Sequence, residues 1–192
     1  MLAYVFWHRS HDGTAAAEYE ARLTAFHEAL AAAPPPGFYE SFAYRMSGAP
    51  WIPDGGPGYE DWYLLRDAAA LDPLNQAAVS GPRHRPHDAV AAQAQWGAAG
   101  LYLLRQGVPA FAGLRRGLWL PKPAGQSYET FYAGIRAHAD SEPWALWGRQ
   151  MVLGPTPEFC LHQPASTLST PPGATVVGLE LVWAGPAHRA DK

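Results

Sequence analysis

Residues 100–107, with the sequence GLYLLRQG, and residues 178–185, with the sequence GLELVWAG, decide the fold. Aligned 78 positions apart, at 100 and 178, the two stretches share both glycines and two leucines. Each has the length and the apolar character of a β-strand. The strand at the end of the first part of the chain therefore matches the strand at the end of the second part, which predicts an internal repeat.

Further matches upstream occur in the same order. Tyr19, Arg45 and Glu60 match Tyr128, Arg149 and Glu158, and the offsets fall from 109 to 104 and 98. Such a steady fall is expected if the second copy has shorter connections. The largest loss, from 98 to 78, lies where a second helix would stand, so that helix is expected to be shortened or missing. Two unrelated α+β halves remain the alternative.

The spacing of apolar residues predicts the elements of both parts. The first part has expected strands at 2–8, 38–46, 59–66 and 100–105, a helix at 14–33 and a proline-broken helical segment at 68–97. The second part has expected strands at 117–120, 144–153, 158–162 and 175–183, with a helix at 127–139. The order β-α-β-β-α-β is that of a ferredoxin-like unit. We therefore expect two such units, at residues 1–107 and 108–192, that form one body.

Two tandem units of this kind resemble the dimeric α+β barrel superfamily, which includes antibiotic-biosynthesis monooxygenase-like, EthD-like and chlorite-dismutase-like proteins. The resemblance covers nearly the whole chain and rests on element order and the repeat, without a catalytic signature. It implies an α+β fold in which two antiparallel sheets pack face to face as a barrel within one chain, with helices outside. The resemblance also implies a pocket in the barrel, either between sheet and helices or between the two sheets. Because a fused chain supplies its own partner, a monomer or a weak homodimer is expected.

Composition excludes several classes of protein. The 192 residues are 48% hydrophobic, and 14 basic against 17 acidic side chains give a net charge of −3 without a cationic cluster. No nucleic-acid partner is therefore expected. The single cysteine, Cys160, excludes an internal disulfide and a multi-cysteine zinc site. Without a signal peptide or an apolar run of bilayer length, we expect a cytoplasmic protein with no membrane partner.

Strand alternation predicts which side chains form the site. Arg45 is expected to face the barrel interior with Ser41 and Ala43, and the matching strand to present Trp147 and Arg149 there. Buried guanidiniums need an anion, either a carboxylate such as Glu180 or a bound ligand. Arg45, Arg149, Trp147 and Glu180 are thus the candidate ligand-binding residues, and structural ion pairs are the alternative.

The candidate catalytic residues are His162, as a proton-transfer group, and Tyr63, which shares a strand face with Asp61. The resulting hypothesis is a small-molecule-binding protein, either a cofactor-independent monooxygenase or an isomerase acting on a small anionic or aromatic compound. A non-catalytic structural or protein-interaction module is the alternative, and the sequence leaves open whether the chain is an enzyme.

The eight histidines raise the possibility of a cofactor. The close pairs His8/His11 and His84/His87 lack the spacing of a zinc motif, so no metal site is predicted. His27 and His138 are expected at solvated or partly buried helix faces. No cofactor is expected, although one branch of the superfamily binds haem through a histidine of the second unit, which leaves His162 and His138 as haem candidates.

Overall fold

The computed structural model describes residues 1–53, 57–138, 144–151, 154–164 and 170–185. Within these ranges eight antiparallel strands form a closed barrel. The strands are β1 (Leu2–Ser10), β2 (Phe38–Ser47), β3 (Gly58–Leu65), β4 (Ala94–Gly107), β5 (Leu114–Leu120), β6 (Ala145–Gln150), β7 (Phe159–Pro164) and β8 (Thr175–Ala184). The helices are α1 (Ala16–Ala32), α2 (Leu71–Ala78), α3 (His84–Ala91) and α4 (Tyr128–His138).

Around the barrel the strands follow the order β1-β3-β2-β8-β5-β7-β6-β4, and β4 returns to β1. The first four strands lie in the order β4-β1-β3-β2, and the last four lie in the corresponding order β8-β5-β7-β6. The two groups join edge to edge through β2–β8 and β4–β6 pairing. The expected face-to-face packing of two sheets is therefore realised as one closed sheet without free edges.

Aromatic side chains fill the barrel interior. In β1 the alternate residues Ala3, Val5 and Trp7 point inward and belong to the interior core. The largest fully buried members of this core are the tryptophans Trp7, Trp62, Trp119 and Trp147. An eight-stranded barrel is just wide enough to be filled by its own side chains or to hold one small ligand, and here the side chains fill it. Of the two expected positions for a pocket, the one between the sheets is therefore occupied by side chains among the described residues, which leaves the one between sheet and helices.

One carboxylate, that of Glu60, lies among these tryptophans. The indole N–H of Trp7 donates to Oε2 at 2.8 Å, and the indole N–H of Trp62 donates to Oε1 at 2.6 Å. Burial raises the pKa of Glu60 to about 7, although the two indole donors act in the opposite direction. Two fixed donors therefore satisfy this buried carboxylate.

Helices cover the outer face of the barrel unevenly. Residues of α1, α2 and α3 pack in one cluster with the first four strands and part of β8, whereas Phe131 and Ile135 of α4 pack against β5, β6 and β7. Residues 170–174, the described part of the connection between β7 and β8, contain no helix. None of the described helices has the length and apolar character needed to span a bilayer.

The predicted orientation of β2 is wrong. Phe42, Tyr44 and Met46 point into the barrel, while Ala43 packs in the helix layer. The outer face gives polar side chains a partner on α1, because Ser41 contacts His27 and Arg45 contacts Glu20 there. The dry interior instead takes the large apolar side chains of the strand.

The two stretches that predicted the repeat lie in β4 and β8. Leu101 packs with the outer cluster, but its counterpart Leu179 belongs to the interior core. The alignment thus pairs the two strands but not their faces. Gly107 ends β4 at φ +80°, and a Cβ there would lie 1.9 Å from the carbonyl oxygen of Trp144. Only glycine fits this close approach between β4 and β6.

Candidate active site

A cavity of about 440 Å³ lies between the outer face of the barrel and the helices α1, α2 and α3. Its volume is within the range of small-molecule sites, roughly 300–1,000 Å³. Its wall is mainly aromatic and aliphatic, and its polar side chains come from two strands and three helices. They are those of Tyr4, His8, Tyr19, Asp61, Tyr63, Asn75 and His87.

The polar centre of this cavity is Asp61, which is 1% exposed. Its Oδ2 atom lies 3.2 Å from Nε2 of His8 and 3.4 Å from Nε2 of His27. Neither contact is aligned as a hydrogen bond, and Oδ1 has no hydrogen-bond partner among the described residues. Asp61 therefore interacts with both imidazoles mainly through its charge.

Hydroxyl groups complete the cluster. Tyr63 donates to Oδ2 of Asp61 at 3.1 Å. The hydroxyl of Tyr19 lies 2.7 Å from Nδ1 of His8, and that of Ser41 lies 2.8 Å from Nδ1 of His27. Each imidazole is thus held between a hydroxyl on one side and the shared carboxylate on the other.

These contacts perturb the acidities of the cluster in opposite directions. Burial raises the pKa of Asp61, but the adjacent His8 and His27 lower it by more, and the pKa lies below its usual range. Burial, and then the charge of Asp61, raise the pKa of Tyr19 and of Tyr63. Near neutral pH the site therefore combines an ionised carboxylate with neutral tyrosines, which remain hydrogen-bond donors.

Local sequence explains how the cluster is assembled. In β1 the residues Phe6 and His8 alternate with Trp7, and in β3 Asp61 and Tyr63 alternate with Trp62, so both pairs face the helices. In α1 the apolar stripe that includes Tyr19 and Phe26 packs on the sheet. His27 directly follows Phe26 in α1 and is fully buried. The expectation that His27 lies at a solvated or partly buried face is therefore wrong.

Of the predicted site residues, Tyr63 lies in the cavity wall. His162 and Trp147 lie inside the barrel, where they are 1% and 0% exposed. Burial lowers the pKa of His162 to about 3, and neither ring nitrogen has a hydrogen-bond partner among the described residues. A wall of the barrel thus separates His162 from the cavity.

The two arginines do not share a position. Arg45 lies on the outer face in an ion-pair cluster with Glu20 of α1 and Glu180 of β8, and its side chain is 36% exposed. Arg149 donates from Nη1 to the carbonyl oxygens of Thr156 at 2.8 Å and Gly154 at 3.4 Å. The prediction that both arginines meet in the barrel interior is wrong. Arg45 lies on the outward face of β2, where Glu20 and Glu180 are its carboxylate partners.

The residues present do not fit haem at His162. Its ring centroid lies 4.5 Å from that of Trp62 and 5.1 Å from that of Phe111, which leaves no room for a macrocycle. The side chain of His138 lies outside the described part of the chain. The described residues also contain no group of three histidine, cysteine or acidic side chains placed to hold a metal ion.

Tyr19, His8 and His27 were not predicted as members of one site. Asp61 and Tyr63 can be paired from strand alternation, since they are two residues apart. The other three come from β1 and α1, and only the packing of α1 on the sheet brings them to Asp61. A histidine among aromatic residues near the end of the first strand, in the sequence FWH at residues 6–8, is a signal that could have pointed to this position.

Comparison with solved structures identifies the fold. The chain is similar to a candidate monooxygenase from Fusobacterium nucleatum, with a TM-score of 0.62 and 9% identity over 96% of this chain and 93% of the other. It is also similar to a candidate monooxygenase from Lactobacillus acidophilus, with a TM-score of 0.60 and 10% identity over 96% and 95% of the chains. An anthrone oxidase-like protein matches with a TM-score of 0.52 and 10% identity over 100% of this chain and 96% of the other.

The chain has the fold of these neighbours. No family model matches the sequence, and no curated protein matches it either. The likeness is therefore one of fold, and function has to be argued from the site.

Proposed function

We propose that this protein binds a small, uncharged aromatic compound in the helix-layer cavity and removes a proton from it through Tyr19, His8 and Asp61. The observation that carries the proposal is the buried cluster of Asp61, His8 and Tyr19 in the wall of a largely apolar cavity of about 440 Å³. A neutral ligand is favoured because the described residues that line the cavity include no lysine or arginine. The unpaired Oδ1 of Asp61 is suited to accept a hydrogen bond from a ligand hydroxyl.

The proton passes from the substrate to Tyr19 and from Tyr19 to His8, beside the charge of Asp61. Tyr19 retains its proton in the resting state, because its pKa is raised, and its hydroxyl is within hydrogen-bond distance of Nδ1 of His8. As the Tyr19 oxygen receives a proton from the substrate, its own proton passes to Nδ1. The imidazolium formed in this step is stabilised by Asp61, whose Oδ2 lies 3.2 Å from Nε2.

An acidic methylene conjugated with an aromatic ring is the substrate that this chemistry requires. Loss of its proton gives an electron-rich anion that O₂ can oxidise, with the balance R₂CH₂ + O₂ → R₂C=O + H₂O. The neighbours named as candidate monooxygenases and as anthrone oxidase-like support this outcome over simple isomerisation.

We further infer that the chain consists of two ferredoxin-like units, at residues 1–107 and 108–192. The order β4-β1-β3-β2 in the first half and the corresponding order β8-β5-β7-β6 in the second support this division. In this arrangement the first unit carries the cavity, and the second unit closes the barrel behind it.

Anthrone, a tricyclic ketone with an acidic methylene, is a suitable probe. We expect the wild-type protein to bind anthrone and to accelerate its consumption of O₂, as recorded with an oxygen electrode. The variant His8→Gln should lower that rate by about 10²–10⁴-fold, the usual contribution of a positioned acid–base group, while anthrone affinity stays within a few-fold. Full activity of His8→Gln would contradict the proposal.

The matched control is His84→Gln, which removes a histidine of α3 whose side chain is 55% exposed and outside the cavity lining. It should leave the rate unchanged. In D₂O without O₂, exchange of the methylene hydrogens of anthrone for deuterium reports proton abstraction separately from oxidation. Binding without either exchange or O₂ uptake would show a binding protein instead of an enzyme.

A further inference from the structure

Two histidines share one oxygen of Asp61, but only one of them lines the cavity. His8 and His27 approach Oδ2 at 3.2 Å and 3.4 Å. His8 belongs to the cavity wall, whereas His27 is fully buried behind it and is not among the lining residues. The chemistry proposed for the cavity uses His8 alone, so the second imidazole needs its own explanation.

The ring of His27 is held on several sides. Its Nδ1 lies 2.8 Å from the hydroxyl of Ser41 in β2. Its ring stacks on Tyr63 of β3 at 5.3 Å and 17°, and on Trp183 of β8 at 6.3 Å and 22°. Contacts from three strands thus fix the imidazole with Nε2 towards Asp61.

We propose that His27 is a positioning residue that supplies the counter-charge of Asp61 and thereby leaves His8 free to accept a proton. The inference rests on the proposed function, because it assigns His27 a role in that same site. A buried carboxylate needs a counter-charge beside it, and a proton on one of the two imidazoles would supply it. When His27 carries that proton, His8 stays a base. Without His27, His8 has to carry it before substrate arrives.

The other groups around the two rings do not supply this charge. His8 faces the hydroxyl of Tyr19 from α1 and stacks on Tyr59 of β3, while His27 faces Tyr63. All three tyrosines have raised pKa values and are neutral near pH 7. Beyond Tyr59 lie Glu20 and Arg45, which pair with each other, and on α3 His87 pairs with Asp88 at the cavity wall.

The test is a nuclear magnetic resonance titration of the histidine rings in the ligand-free protein. In the variant His27→Gln the midpoint of the His8 titration should move upward by about one pH unit or more, because a competing cation is lost and Asp61 is left with His8 alone. The variant His84→Gln, which alters an exposed histidine, should leave the His8 midpoint in place. An unmoved midpoint in folded His27→Gln overturns the proposal.

The wild-type curves give a second readout that needs no buried substitution. Two imidazoles that share one carboxylate titrate as a coupled pair, with broadened or two-step curves for both rings. Independent single-step curves for His8 and His27 would overturn the proposal even if His27→Gln did not fold. Ser41→Ala, which removes the hydroxyl that orients His27, should move the His8 midpoint in the same direction by less.

Activity distinguishes this inference from the function on which it rests. With anthrone as probe, the acid limb of kcat/KM against pH should move upward in His27→Gln by the shift seen for the His8 ring. If His27→Gln shifts the His8 titration but the protein neither binds nor oxidises anthrone, the coupling between the two histidines stands and the proposed function fails. If the protein turns over anthrone but His27→Gln does not move the His8 titration, the proposed function stands and the role of His27 is overturned.

Discussion

At the scale of single residues, Asp61 is a fully buried carboxylate whose partners come from three elements. Tyr63 lies on its own strand, His8 lies on β1 and His27 lies on α1. The same charge therefore serves the proposed chemistry and fastens α1 to the barrel. Its pKa lies below the usual range, so this interaction stabilises the folded protein above about pH 4 and is lost as the pH falls below that value.

Asp61→Asn should accordingly lower the free energy of unfolding at pH 7 by about 3 kcal/mol, the usual cost of removing one partner from a buried ionic cluster. Urea denaturation measures this loss. Because protonation removes the same charge, the difference between wild type and Asp61→Asn should shrink as the pH falls below about 4.

Asp88 provides the matched control, since it also contacts two histidines. It lies 3.3 Å from His84 and 3.1 Å from His87, but its side chain is 57% exposed. Asp88→Asn should therefore change the free energy of unfolding by less than about 0.5 kcal/mol. Equal losses in Asp61→Asn and Asp88→Asn would show that burial of the cluster does not matter.

The sequence was informative about some of these residues and not about others. The two-residue spacing of Asp61 and Tyr63 was enough to place them on one face of a strand. It could not tell whether that face pointed into the barrel or towards the helices, because aromatic residues occupy both faces of β2 and β3. The same ambiguity reversed the prediction for Arg45, and His162 was chosen from a strand whose inward face is dry.

At the scale of elements, the repeat matched residues 100–107 to residues 178–185, and these stretches lie in β4 and β8. It did not predict their faces, since Leu101 and Leu179 point to opposite sides of the barrel wall. The shared glycines also meet different surroundings. A Cβ on Gly107 would lie 1.9 Å from the oxygen of Trp144, whereas one on Gly185 would lie 3.3 Å from the oxygen of Ser41.

Gly107→Ala should therefore disrupt the end of the β4–β6 pairing. Both the positive φ of +80° and the clash with the Trp144 carbonyl oppose a side chain at this position. We expect a loss of at least about 2 kcal/mol in the free energy of unfolding, measured by chemical denaturation.

Gly113→Ala is the appropriate comparison, because a Cβ on Gly113 would meet nothing within 4 Å. Its unfolding free energy should stay within about 0.5 kcal/mol of the wild-type value. A Gly107→Ala protein as stable as Gly113→Ala would contradict the close approach between β4 and β6.

At the scale of the whole molecule, the barrel wall separates two buried carboxylates with different properties. Asp61 faces the helices and has a lowered pKa, while the adjacent Glu60 faces the interior and has a pKa of about 7 instead of 4.5. The folded protein thus holds the Glu60 proton over a range in which the unfolded chain has released it. This contribution to stability is full below about pH 4.5 and is lost as the pH rises to about 7.

Glu60→Gln removes this titration. The free energy of unfolding of the wild type relative to Glu60→Gln should fall by about 3 kcal/mol between pH 4 and pH 8, as measured by urea denaturation at several pH values. Gln offers one acceptor to two indole donors, which adds a cost of about 1–3 kcal/mol that does not depend on pH. If the difference in the free energy of unfolding between wild type and Glu60→Gln stays constant with pH, Glu60 does not have a raised pKa in the folded protein.

Closure of the barrel also has a consequence for synthesis of the chain on the ribosome. The strand β2 pairs with β8, so Arg45 of β2 can pair with Glu180 only after a further 135 residues have been made. At about 5–20 residues per second, this interval lasts roughly 7–27 s. Once β4 has been made, the first four strands are present; β4 stays an open edge until β6 follows, and β2 stays one until β8 follows. The nascent protein is therefore most exposed to edge-to-edge association, and most dependent on chaperones, before its last strand is made.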